Sequence, residues 1–157
     1  MAVEVGTKAP DFTLSNQDFQ PVTLSAALAK GPVVLAFIPA AFSGVCEKEF
    51  CTLRDGLLGA LNNLPKAQVF GISVDTFFTL KAWATQQGFT FPLLSDFNKE
   101  VIAAYGCYNP DMIGLRGVAK RAMFVIDGAG IVRHAEVLED ARNEPNYDRV
   151  FEVLASL

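Results

Sequence analysis

Histidine is almost missing from this chain, with His134 alone among 157 residues, and cysteine is scarce, with three. One histidine cannot build the usual Cys/His zinc spacings, and a hydrolase pairing a cysteine with a histidine would have to rely on His134. The cysteines, Cys46, Cys51 and Cys107, are odd in number and unevenly spaced. That pattern fits a reducing compartment and thiol chemistry better than a structural disulfide framework. No Cys-x-x-Cys occurs and no proline lies between Met112 and Asp127, which disfavours a dithiol oxidoreductase that sets a cis-proline opposite its cysteines. Lysine and arginine never form a run and the net charge is -4, so the chain has no electrostatic footprint for nucleic acid or an anionic membrane. No apolar run approaches a membrane span, and Met1 to Lys8 lacks the layout of a secretory leader, so the chain reads as cytoplasmic. Repeats, linkers and low-complexity tracts are also missing, which predicts a single domain over residues 1–157.

What the chain does have is the material for a core. Hydrophobic residues make up 51% and charged residues only 19%, which excludes disorder as the ground state. Val33 to Ile38 and Val69 to Val74 are continuous apolar runs rich in β-branched residues, as expected of strands covered on both faces in a parallel sheet. Between them Phe50, Leu53, Leu57 and Leu61 recur at helical spacing, with Cys46 one turn earlier on the same stripe, and Asn62, Asn63 and Pro65 end the helix. A second helix is predicted from about Thr76, with Leu80, Trp83, Ala84 and Gln87 on one face, and a short third from Asn98 to Tyr105. Ala122 to Ile126 and Ile131 to Val137 flank Asp127-Gly128-Ala129-Gly130, a hairpin signal, and a last helix follows Pro145. The order is βαβ, a helix, then ββα after an N-terminal extension: an α/β protein of thioredoxin-like arrangement, a central mixed β-sheet flanked by helices.

The chemistry concentrates at Cys46. Its strand-like run ends at Pro39, and a short turn delivers the thiol to the start of the predicted helix. Unpaired N–H groups and the positive end of the helix dipole favour thiolate over thiol there. Ser43 is positioned to cap that helix, with its oxygen accepting from the N–H of Cys46. A carboxylate one turn along, Glu49, opposes a thiolate unless it pairs with an arginine.

With these residues in view the chain resembles the peroxiredoxins, thiol peroxidases that reduce hydroperoxides. Ala9-Pro10-Asp11-Phe12-Thr13-Leu14 looks like their N-terminal signature, Pro39-x-x-x-Ser43-x-x-Cys46 matches their active-site motif, and Lys120 to Asp127 resembles the strand carrying their second active-site residue. Trp83 to Phe97 looks most like the alkyl hydroperoxide reductase E branch, typified by one-cysteine enzymes. The resemblance implies that Cys46 attacks hydrogen peroxide, organic hydroperoxides or peroxynitrite and becomes a sulfenic acid. It implies that Arg121 bonds thiolate and peroxide together, with Arg116 the weaker alternative, that Ser43 contacts peroxide and that Pro39 shields the sulfur. Glu49 would orient the arginine. It implies no cofactor and no metal. The partners would be a hydroperoxide and a thiol reductant such as thioredoxin, a glutaredoxin-like protein or a low-molecular-weight thiol. The family's common homodimer uses the side of the molecule where Met112, Ile113 and Leu115 fall in an aperiodic loop, and these residues would line the peroxide pocket or meet a second subunit.

Cys51 departs from the one-cysteine pattern. It makes Cys-x-x-x-x-Cys, the spacing of the related bacterioferritin-comigratory type, whose second cysteine resolves the sulfenic acid. Five residues along a helix separate two Cα atoms by roughly 7.5 Å of rise and about 140° of rotation. Disulfides usually span about 4.4 to 6.8 Å, so a Cys46–Cys51 bond requires the first helical turns to unwind. Cys107, His134 and Trp83 read as packing residues. A non-enzymatic peroxide sensor or holdase built on the same cysteine is the reading from another functional class, and a Cys46–His134 hydrolase is the remote one.

Overall fold

The computed structural model describes residues 3–61 and 67–157, with the backbone alone for 57–61. The predicted places of Leu57, Leu61, Asn62, Asn63 and Pro65 in and after the helix therefore lie outside the described side chains. In chain order the elements are β1 (Thr13–Asn16), β2 (Pro21–Thr23), α1 (Leu24–Leu28), β3 (Val33–Phe37), α2 (Gly44–Leu61), β4 (Gln68–Ser73), α3 (Phe77–Gln87) and β5 (Leu93–Ser95), followed by α4 (Glu100–Ala104), β6 (Tyr108–Asn109), β7 (Val118–Ala119), β8 (Ala122–Ile126), β9 (Val132–Val137) and α5 (Tyr147–Ala155).

Seven of the strands form one mixed sheet in the order β2-β1-β5-β4-β3-β8-β9. Strands β3, β4 and β5 run parallel, while β8 lies antiparallel to β3 and β9 antiparallel to β8. The two apolar runs are the central strands because both their faces are covered. Val33, Leu35 and Phe37 enter one core layer with Val101, Ile102 and Tyr105 of the α4 region. Val34, Ala36 and Ile38 enter the other, with Phe50 and Leu53 of α2, Leu80 and Trp83 of α3, and Val150, Val153 and Leu154 of α5. This is the period-2 alternation of a pleated strand, with apolar partners on both sides.

One close approach fixes how α2 lies on the sheet. A Cβ added at Gly71 of β4 would stand 2.5 Å from ring atoms of Phe50, so glycine there lets the ring settle directly on the strand. Phe50 in turn touches Trp83, Phe89 and Phe91, with ring centroids 5.1, 5.8 and 5.4 Å away. The helix that carries Cys46 in its first turn is thereby docked one turn after the sulfur.

The mixed α/β arrangement agrees with the sequence reading, and several elements were not visible in it. The N-terminal extension is a hairpin, β1 and β2, that joins the sheet through β5, and α1 follows it directly. These pieces are three to five residues long, too short for periodicity to show. The third helix is Glu100–Ala104, shorter than the predicted Asn98 to Tyr105. In the aperiodic loop, β6 pairs with β7 and a tight turn closes between Met112 and Leu115, with φ of +50° at Ile113 and +90° at Gly114. Positive φ at both central residues is the twist that suits a two-residue hairpin.

Candidate active site

Register places the site. In the β3–β8 pair Phe37 faces Ala122, so Arg121 stands beside the end of β3, next to Ile38 and the turn from Pro39. Parity sets its side: Met123 and Val125 point into the core layer that holds Cys46, and Arg121 shares their phase. The arginine precedes an interior strand flanked by β3 and β9, so it is held in the protein rather than solvated.

Cys46 is the third residue of α2, and the helix ladder starts when the Glu47 N–H donates to the Ser43 carbonyl at 2.9 Å. The sulfur is fully buried. Arg121 donates from Nη2 to Cys46 Sγ at 3.2 Å, from Nη1 to Glu49 Oε2 at 2.5 Å, and from Nε to the Ala141 carbonyl at 3.1 Å. One planar fork thus grips the sulfur, a carboxylate and the backbone together, which the single point charge of a lysine cannot do. Burial works against the charge of Arg121, but Cys46 and Glu49 overcome it and hold the guanidinium protonated.

Glu49 is 0% exposed, and burial pushes its carboxyl up to about 7 while the Arg121 charge pulls the other way. Its second oxygen, Oε1, has no hydrogen-bond partner among the described residues. Around it Tyr147 donates to Glu144, which also pairs with Lys48 at 2.9 Å, and burial raises the Tyr147 hydroxyl far above its usual range. The carboxylate beside the thiol is therefore the partner of Arg121, as the sequence argument required of it.

Above this group opens a cavity of about 760 Å³, floored by Pro39, Ser43, Gly44, Val45 and Arg121. Its lining also includes Met112 and Ile113, the cations Lys120 and Arg142, and the carboxylates of Asp111, Glu139 and Asp140. Cys46 is outside the lining, and its sulfur is bonded to Arg121 of the floor. The predicted cap is not made: among the described residues the Ser43 hydroxyl has no hydrogen bond within the fold, and Ser43 instead lines the cavity. The apolar loop residues divide. Met112 and Ile113 line the cavity, yet Ile113 is 93% exposed and Leu115 47%.

Cys51 lies one and a half turns along α2, half-buried, and all three cysteines are unbridged thiols. Cys107 is buried, its sulfur donates toward the Tyr105 carbonyl at 3.5 Å, and burial pushes its thiol up to about 12. His134 pairs with Val125, three residues further along β9 than the Val137–Ala122 pair beside Arg121, or about 10 Å away along the strand. Cys46 takes its hydrogen bond from Arg121 and none from His134. Sequence reasoning missed Asp75, Glu144 and Tyr147: Asp75 bonds Ala41 from 34 positions away, and Glu144, which Tyr147 bonds, pairs with Lys48 from far along the chain, with no local motif to mark them.

The chain matches the AhpC/TSA family over residues 5–135. It is 45% identical to alkyl hydroperoxide reductase E of Mycobacterium tuberculosis over 137 residues, covering 86% of each chain. It is 37% identical to a chloroplastic 2-cysteine peroxiredoxin of Chattonella marina var. antiqua over 147 residues, covering 87% of this chain and 72% of that one. Among solved structures, peroxidoxin BcpB from Mycobacterium tuberculosis superposes with a TM-score of 0.85 at 33% identity, covering 98% of this chain and 97% of that one.

Proposed function

The chain belongs to the AhpC/TSA family of peroxiredoxins and is a thiol-dependent hydroperoxide reductase; from that premise we propose that Cys46 is its attacking thiol and that Arg121 holds the reacting atoms. The observation that carries the reading is the single guanidinium that bonds Cys46 and Glu49 beneath an open cavity.

In this reading the thiolate attacks the terminal oxygen of ROOH in line with the O–O bond. An S–O bond forms and the O–O bond breaks, sulfur loses two electrons, and RO⁻ leaves to take a proton as the alcohol. Arg121, already fixed by Glu49 and the Ala141 carbonyl, meets the developing charge without having to reorganise. Unpaired N–H groups of the first helical turn add to it. The Ser43 hydroxyl, without a partner among the described residues, is available to the peroxide, and Pro39 keeps water from the sulfur. Peroxynitrous acid would follow the same course, with nitrite leaving.

Cys51 then resolves the sulfenic acid: its sulfur attacks Cys46, a disulfide forms and water leaves. A dithiol reductant restores both thiols. Because α2 is wound through both positions, the step includes unwinding its first turns. The open cavity, whose lining mixes apolar residues with charges of both signs, supports a small-molecule oxidant. The exposed Ile113 and Leu115 are placed to meet a second copy.

Peroxide consumption with a dithiol reductant tests the reading. Wild-type protein is expected to consume many equivalents per chain and Cys46→Ser none, while Cys51→Ser stops as a sulfenic acid unless an outside thiol attacks it. Turnover of Cys51→Ser at the wild-type rate with the same reductant would establish one-cysteine recycling instead. A halt near one equivalent in the wild type would make the protein a sensor.

A further inference from the structure

The turn that delivers Cys46 to its helix makes few hydrogen bonds, though Ala41 and the Phe42 ring pack against the core and Trp83. Ile38, just past β3, still donates to the Ile72 carbonyl at 2.9 Å, and the Ser43 carbonyl accepts the first bond of α2. Across the four residues between, the one hydrogen bond to the rest of the protein, among the described residues, is from the Ala41 N–H to Asp75 Oδ2 at 2.8 Å. The turn is also strained: Phe42 has φ of +67°, a left-handed conformation that a bulky L side chain rarely adopts, and its ring is 44% exposed. A conformation of that kind persists only where the surroundings over-determine it.

Asp75 is itself fixed. The buried Ser73 hydroxyl donates to the same Oδ2 at 2.8 Å, the Asp75 N–H reaches back to Ser73 Oγ at 3.2 Å, and the Ser95 hydroxyl donates to the Asp75 carbonyl at 2.6 Å. The acceptor that the turn leans on is thus anchored to the ends of β4 and β5, which belong to the parallel core of the sheet.

We propose that Asp75 is a positioning residue for the peroxide reaction: its oxygen, shared between Ala41 N–H and Ser73 hydroxyl, clamps the strained turn so that Cys46 meets Arg121 and the cavity floor. It acts through the backbone and touches neither sulfur nor peroxide. The inference rests on Cys46 being the attacking thiol. What the clamp requires is an acceptor oxygen rather than a charge, because both of its donors are neutral. The amide oxygen of asparagine can therefore replace it.

The test compares Asp75→Ala and Asp75→Asn in single-turnover oxidation by hydrogen peroxide, alongside reaction of Cys46 with a soluble aromatic disulfide. Asp75→Ala is expected to lower the peroxide rate by about tenfold to a hundredfold, the scale of a misplaced reacting group, while the disulfide reagent reacts as fast or faster because the buried sulfur is less enclosed. Asp75→Asn keeps the peroxide rate within about threefold of wild type. A wild-type rate in Asp75→Ala overturns the clamp, as does an Asp75→Asn variant as slow as Asp75→Ala. A parallel fall of both reactions with a lowered unfolding midpoint assigns Asp75 to general stability and overturns it too. Should Asp75→Ala fail to fold, Ser73→Ala removes one of the two donors and is expected to give a smaller fall, with no fall counting against the proposal. Cys46→Ser serves as the control: oxidation that survives it refutes the assignment of the attacking thiol rather than the clamp.

Discussion

At the scale of single residues, the site is an argument about one guanidinium. Arg121 is buried with three hydrogen bonds made and its fork spans sulfur and carboxylate at once, so in the proposed reaction its orientation is already set. Arg121→Lys keeps the charge and loses the fork. The second-order rate with hydrogen peroxide, followed by stopped flow, is expected to fall by roughly 10²-fold, the usual cost of one preorganised donor; a rate within threefold of wild type would show that charge alone suffices. Cys107 gives the complementary expectation. Burial holds its thiol near 12, almost no thiolate exists at neutral pH, and Cys107→Ser should leave peroxide turnover unchanged. Of the proposed site, Cys46, Arg121, Ser43, Pro39 and Glu49 could be picked out in the sequence because a motif or a charge conflict marks each one. Asp75 was not, since its partner is 34 residues away and an aspartate after a strand has many ordinary uses.

At the scale of elements, the proposed mechanism asks α2 to be rigid for the first step and loose for the second. Its start is held by the Asp75 contact, by the Trp83 Nε1–H to Glu47 contact at 3.4 Å, and by Phe50 seated on Gly71. Trp83 is the only tryptophan, and it packs against both Phe42 and Phe50, before and after Cys46. In the proposed resolution step, unwinding toward Cys51 would strip these neighbours away. Indole emission should therefore change in two phases after a peroxide pulse, with the slower phase missing in Cys51→Ser. A slow phase that survives Cys51→Ser would mean that the helix opens for another reason or that the resolving thiol lies elsewhere. The strands that frame α2 could be read from the sequence because both faces of β3, β4 and β8 are apolar and runs of five or six residues show it. The hairpin of β1 and β2, the three-residue β5 and α1 gave no such run, and their places are set by tertiary pairing.

For the whole molecule, the buried Glu49–Arg121 pair couples the site to stability. The Glu49 carboxyl has an ordinary value of 4.5 and is raised to about 7 in the fold by burial. Between those values the folded state binds more protons than the unfolded one, so the contribution of Glu49 is fully present below about 4.5 and lost as pH rises through about 7. Glu49→Gln keeps an acceptor for Arg121 and does not titrate. Urea unfolding should then show the wild type losing stability relative to Glu49→Gln as pH rises from about 5 to 8, by a few kcal/mol at most. Parallel pH profiles would mean that the carboxylate stays ionised throughout. The same pair explains why a sheet with its two apolar layers tolerates a charged cluster at one edge of the core: each charge has its partner there.

The most direct measurement is peptide-resolved mass spectrometry after a substoichiometric pulse of hydrogen peroxide, quenched with a thiol-blocking reagent. The first oxidising equivalent should be found at Cys46, as an added oxygen or as a bond to Cys51, with Cys107 unmodified. Oxidation spread over Cys51 and Cys107 while Cys46 remains a thiol would contradict the assignment of the reactive sulfur and the mechanism built on it.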